Sequence, residues 1–194
     1  MQEILDGLWR WTAKHPAWKP AAEPGDADDW PQDVGCVAYR AERALVIVDP
    51  LVPEEGFLDE LVEQVDLPVC VLQTIGWHSR SCEQVERRYA DRLAEEPGPG
   101  VDPVPIGGAG ETMVWLPAIR ALVPGDRLIG DGEGGLRMCP DSWMKNLKLR
   151  QAGLAEALRP LLDLPVDAVI VSHGEAVLSD GRRLIARAIG EPDQ

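Results

Sequence analysis

Apolar and polar positions fall along the chain in blocks that predict strands and helices in turn. "GCVAYR" and "ALVIVDP" flank a short turn at "AER", a β-hairpin whose second strand is a buried apolar run. In "EEGFLDELVEQVD", Phe57, Leu58, Leu61, Val62 and Val65 recur at the spacing of one helix face. "LPVCVLQT" predicts another buried strand and "SCEQVERRYADRLAE" another helix, while the breakers of "EEPGPGVDPVP" predict a loop. Beyond it, "ETMVWLP" and "RALVPGDRLIG" predict two antiparallel strands around a "PAI" turn. The glycine-rich "DGEGGLRMCPDSWMKN" predicts an irregular segment over a pocket. "LRQAGLAEALRPLLDL" predicts a helix, "VDAVIVSHGE" a strand ending in a polar loop, and "GRRLIARAIGE" a final helix. Two βα halves of similar layout result. They imply an α/β fold, a four-layer αββα sandwich of two mixed β-sheets, with polar residues gathered at strand ends.

The first 33 residues read differently. They carry Trp9, Trp11, Trp18 and Trp30, four of the seven tryptophans, among Pro, Asp and Ala. "LWRW" alternates as a strand does, and "KPAAEPGDADDWP" reads as a loop. These tryptophans form either an aromatic rim over a pocket or packing that ties the segment onto the rest. With 194 residues, a single domain over 1–194 is the expectation, long enough for a real core.

Composition narrows the partners. Apolar residues make up 45% of the chain, a globular value that excludes wholesale disorder. Nineteen Lys and Arg against 33 Asp and Glu leave a net charge of -14, which repels phosphate backbones. Nucleic acid and anionic membrane are therefore not expected as partners; the charge says nothing positive about a substrate, and a small-molecule ligand stays open. "MQEILDGLWRWTAKHP" has no secretory signal pattern and no run has the length of a membrane span, so a cytoplasmic location is expected. The cysteines Cys36, Cys70, Cys82 and Cys139 form no C-x-x-C pair and are expected as free thiols.

The order of "ALVIVDPLVP", "LQTIGWHSRS", "GETMVWLPAIRALVPGDRL" and "VIVSHGE" resembles the metallo-β-lactamase fold from about Val34 to the carboxyl terminus. That resemblance implies a metal motif T-H-x-H-x-D-H after a strand, followed downstream by a histidine, an aspartate and a last histidine. With Thr74 and Gly76 in register, the motif's ligand positions fall on Ile75, Trp77, Ser79 and Arg80. The downstream histidine falls on Glu111, the bridging aspartate on Asp126 and the last histidine on His173. An apolar side chain and an indole offer no lone pair, and arginine keeps its proton. The resemblance therefore implies a degenerate metal site, with Glu111, Asp126 and His173 as weak remaining ligands. No two-metal centre and no cofactor are expected, the alternative being a single zinc or iron ion.

Six residues are expected at the pocket: Trp77, His78, Arg80, Glu111, Asp126 and His173, with His78, Asp126 and His173 the catalytic candidates. His78 is a remnant ligand, a general base or a polar residue at a helix start. Arg80 either pairs with Asp126 or Glu111 in place of a cation, or is a solvated arginine. Asp49 resembles a structural aspartate that supports the site loops, and Cys82 stands four residues from His78 as a candidate thiol partner. Trp115 and Trp143 flank the expected pocket mouth or pack in the core. Two classes of function follow. One is a small-molecule binding or regulatory protein that keeps the fold without two-zinc chemistry. The other is a hydrolase of esters, thioesters or lactones with at most one metal.

Overall fold

The computed structural model describes residues 1–23, 26 and 29–191, so part of the expected loop over 19–31 lies outside the described residues. Strands β1 (Gln2–Leu5), β2 (Leu8–Lys14), β3 (Asp33–Arg40), β4 (Leu45–Val48) and β5 (Val69–Leu72) form one sheet in that spatial order. The first four pair antiparallel, and β5 joins β4 in parallel. A parallel neighbour needs a crossover, which helix α1 (Asp59–Val65) supplies. A second sheet holds β6 (Asp102–Ile106), β7 (Glu111–Leu116), β8 (Ala121–Val123) and β11 (Ala168–Val169) in the order β11-β8-β7-β6. It too is mixed, since β11 runs parallel to β8 while the other pairs are antiparallel. Strands β9 (Leu128–Gly130) and β10 (Leu136–Met138) make a separate ribbon.

The period-two alternation of the strands sorts their side chains into layers. On β3 and β4, Val37, Tyr39, Val46 and Val48 face the space between the sheets, where they meet Val114, Leu116, Ala121 and Val123 of β7 and β8. The alternate residues Cys36, Ala38, Leu45 and Ile47 face outward and pack on Leu61 and Val62 of α1 and Val85 of helix α2 (Cys82–Arg88). On the far side, Met113, Trp115 and Leu122 pack on Leu154 and Leu158 of α3 (Gln151–Leu158) and Leu184 and Ile185 of α4 (Gly181–Ala188). The layers run helix, sheet, sheet, helix, as the sequence pattern predicts.

Several elements differ in extent. The helix expected from Glu54 starts only at Asp59, because Gly56 adopts φ +81° and breaks the first turn. The helix expected through Leu164 narrows to a 3-10 segment at Arg159–Asp163, where Pro160 cannot donate to the preceding turn. "DPVPI", expected as loop, is the edge strand β6. The strand expected up to Val171 ends at Val169, because the chain crosses to the other sheet there. Ser172 accepts a hydrogen bond at its carbonyl from the Gly35 N–H (2.6 Å). That crossing sets His173 beside β3 and in front of the β8–β9 turn.

Candidate functional site

The chemistry-bearing residues lie on the loops that leave β4, β5, β8 and β11 at one end of the sandwich. Asp49 follows β4 in a left-handed conformation (φ 47°) and is buried. Its Oδ1 accepts the Thr74 N–H (2.8 Å) and its Oδ2 accepts the Thr74 hydroxyl, which ties the loop after β5 to the end of β4. The same Oδ2 lies 2.8 Å from His78 Nδ1. Asp49 therefore positions the loop and orients the imidazole.

On that loop Ile75 forms an antiparallel bridge to Glu111 and is buried, so its side chain enters the core. Two residues on, Trp77 is 55% exposed, and its indole N–H donates to Asp126 Oδ2 at 2.6 Å. The Arg127 guanidinium carbon sits 5.3 Å from the centroid of the Trp77 ring. His78 turns inward and is buried. Its Nε2 lies 3.1 Å from Asp126 Oδ1, and His173 Nε2 lies 3.2 Å from the same oxygen. His78, Asp126 and His173 thus bring three ligand-type atoms within 4.8 Å of one another, all on buried residues.

Glu111 is placed differently from expectation. Its Oε1 accepts the Gly125 N–H (3.0 Å), and its Oε2 accepts the N–H groups of Asp126 (2.7 Å) and Arg127 (2.9 Å). The carboxylate organises the turn that carries Asp126 and does not reach the pocket wall. A side chain at Gly125 is impossible without rearrangement, since a Cβ there would lie 2.4 Å from Thr74 Oγ1. The set of three convergent groups therefore exchanges Glu111 for His78. Ile75 bridging to β7 fixes the loop's register so that His78 faces Asp126.

The expected pairing of Arg80 with Asp126 or Glu111 is not formed. Arg80 has φ 31° and donates through Nη1 to the carbonyls of Asp49 (3.1 Å) and Gly35 (3.3 Å), and through Nη2 to Ser172 Oγ (2.7 Å). Nη2 also lies 3.1 Å from His78 Nε2. The reason is that both carboxylates already have closer partners: backbone N–H groups on Glu111, the indole and two imidazoles on Asp126. Arg80 acts as a rivet between β3, the Asp49 loop and the Ser172–His173 loop. It is neither a cation substitute for the acids nor a solvated surface arginine.

The electrostatics follow from these contacts. Burial opposes the charge of His78, but hydrogen bonds to Asp126 and Asp49 and their negative charge outweigh it and raise its pKa to about 9. Burial likewise opposes the charge of Asp126, yet His173 and His78 hold its carboxyl well below the usual range. Burial, then the nearby Asp126 charge, pushes Glu111 up to about 7, against the pull of its three N–H donors. Cys82 is no partner for the imidazole: its thiol donates to the His78 carbonyl (3.6 Å), and burial pushes it up to about 11. All four cysteines are free thiols.

Above the cluster opens a pocket of about 470 Å³. Trp77, His78, Arg80, Asp126 and His173 line it, and Glu111 does not. The remaining wall comes from residues that sequence reasoning left open or missed. Trp30 of the N-terminal segment stands over His173 at 5.8 Å between ring centroids, and His15 abuts Trp30 at 5.2 Å. Trp143 approaches His173 from another side at 5.2 Å. Trp11 instead packs in the core with its indole N–H on the Leu51 carbonyl, and Trp115 is also core. The segment after β10 contributes Ser142, Trp143, Lys145 and Asn146, whereas the glycine turn at 131–135 closes on Asp131 away from the pocket. The clustering of tryptophans, the expected cover over 131–146 and Trp143 at the expected mouth hinted at this rim.

His173 is held by close backbone approach as well as by side chains. The Gly130 N–H donates to the His173 carbonyl (2.9 Å), and Gly174 (φ +95°) passes so near Gly130 that a Cβ would lie 2.9 Å from its Cα. Arg10 of β2 donates to the Gly174 carbonyl (2.8 Å).

No family model and no curated protein matches the sequence. Solved structures do. A metallo-β-lactamase from Erythrobacter litoralis is similar at TM-score 0.64 and 14% identity, over 97% of this chain and 93% of that one. DIM-1 metallo-β-lactamase gives 0.59 and 12% over 96% of each chain. FIM-1 from Pseudomonas aeruginosa, crystallised in a mono-zinc form, gives 0.58 and 12% over 97% and 93%. Identities this low carry the architecture and not the chemistry. With its two mixed sheets, its flanking helices and this likeness over nearly its whole length, the chain has the metallo-β-lactamase fold.

Proposed function

We propose that this protein is a small-molecule binding protein on the metallo-β-lactamase fold that does not carry out two-metal hydrolysis. One observation carries the reading: the atoms a second cation would need already have partners within the chain. Asp126 Oδ2 is capped by the Trp77 indole, and both Glu111 oxygens accept backbone N–H groups. Ile75 is in the core, and the Arg80 guanidinium stands 3.1 Å from His78 Nε2. A dication beside that fixed positive charge is opposed by simple repulsion. Protons can hold the cluster instead. His78 Nδ1 shares a proton with Asp49 Oδ2 (2.8 Å), and the His78 and His173 Nε2 atoms stand within ion-pair reach of Asp126 Oδ1.

A second reading has its own support. His78 Nε2, Asp126 Oδ1 and His173 Nε2 stand at spacings that fit the edges of a single coordination sphere, and two imidazoles with one carboxylate are a donor set used for zinc or iron. When bound, such an ion would polarise a carbonyl or activate a water for hydrolysis of an ester, thioester or lactone.

Elemental analysis of protein purified without chelator, with thermal melts with and without added zinc, separates the two. The binding reading expects well below one zinc or iron per chain and no rise in Tm. One ion per chain together with a Tm that climbs with free zinc would establish the mononuclear reading.

A further inference from the structure

We infer that the pocket takes a compact organic anion with a flat, conjugated body, such as an aromatic carboxylate, the ring stacked on Trp77 and the charge directed toward Lys145. This rests on the binding reading above and names its ligand class. The first support is the wall itself. Trp30, Trp77 and Trp143 line a space of about 470 Å³, within the range of ordinary ligand sites. One face of Trp77 is occupied by Arg127, and the residue is 55% exposed, so a planar group can stack on the face left open.

The second support is charge. The only carboxylate in the pocket wall among the described residues is Asp126, which is buried and engaged by the indole and both imidazoles. The cations Arg80 and Lys145 line the same pocket, and Lys145 is exposed and enters no ion pair among the described residues. His15 stands at the rim of the same pocket, beside Trp30. Burial first, then the charges of Arg80, His78 and His173, lower its pKa. In a chain of net charge -14, a pocket wall with Arg80 and Lys145 against one buried carboxylate among the described residues is a local reversal of the overall charge. That reversal selects an anion, and the three indoles select a flat one.

The test uses three probes with one ring system: 2-naphthoate, its neutral amide and the cationic 2-naphthylmethylamine. Binding is followed by calorimetry on the full chain, with and without EDTA. Naphthoate is expected to bind at least tenfold more tightly than either analogue. Lys145→Gln should remove most of that preference, and Trp77→Ala should weaken all three probes alike. Equal binding of the three, preference for the amine, or no binding of naphthoate overturns the inference. Naphthoate binding that EDTA abolishes and Lys145→Gln leaves unchanged would mean that the anion ligates a metal, and the binding reading itself would fall.

Discussion

Arg80 shows how one side chain can be misplaced by motif logic and still be central. Its three hydrogen bonds reach the Asp49 and Gly35 carbonyls and the Ser172 hydroxyl, so it joins strand β3 to two loops. Hydrogen bonds from a charged donor are worth about 1.5–3 kcal/mol each when partly buried, and losing the donor leaves its acceptors unsatisfied. Arg80→Ala should therefore lower stability by roughly 2–4 kcal/mol, read as a lower urea midpoint at unchanged slope. Arg80→Lys should recover little, because one ammonium cannot span three acceptors set around a planar fork. The positive φ of Arg80 allows a further control. Arg80→Gly relieves the backbone where Arg80→Ala does not, so glycine should be the more stable of the two, and an alanine variant as stable as wild type would refute the rivet.

At the scale of elements, alternation in the strands was legible, and so was the order of the layers. Element lengths were not, since a glycine at φ +81° and a helix-ending proline act through backbone geometry that periodicity does not encode. The convergence of Asp126, His78 and His173 was half legible. Motif register pointed to Asp126 and His173, but His78 enters only because Ile75 bridges to Glu111 across two elements. Lys145 and Asn146 fall in the segment expected over a pocket, but no motif singled them out. Strand β6 is the clearest miss, and its cause is instructive. Pro103 and Pro105 pair opposite Val114 and Thr112 on the outermost strand of its sheet. A proline cannot donate to the ladder, so both must sit where their nitrogens face away from β7, which leaves that outer edge without N–H donors at these positions. Such an edge resists pairing with another chain. Replacing both prolines with threonine should restore two donors and promote self-association. Sedimentation velocity at rising concentration would detect it, and a variant that remains as monodisperse as the parent would remove this role from the prolines.

For the molecule as a whole, the pH dependence of stability distinguishes a cluster held by protons from one held by a metal. The His78 pKa stands at about 9 against 6.5 for an unperturbed imidazole, so between those values the folded chain binds a proton that the unfolded chain has released. The contribution is complete below pH 6.5 and is lost as pH rises through 9; a shift of this size corresponds to about 3 kcal/mol. Glu111, raised to about 7, acts in the same direction at lower pH, because its folded state also retains the proton longer. Asp126 acts oppositely. Its depressed pKa gives stability above its ordinary value of 3.8 that disappears as pH falls further. Chelator-treated protein should thus be most stable in mildly acidic solution and lose Tm steadily from pH 6.5 to 9. His78→Gln should start lower and lose that upper slope. A metal-held cluster has the reverse sign, since a ligating imidazole must first give up its proton and zinc binding tightens as pH rises. Calorimetric melts across this range, with EDTA and with one equivalent of zinc, read the sign directly. A Tm that is flat or rising from pH 6.5 to 9 in EDTA would show that the charged His78 does not hold the cluster.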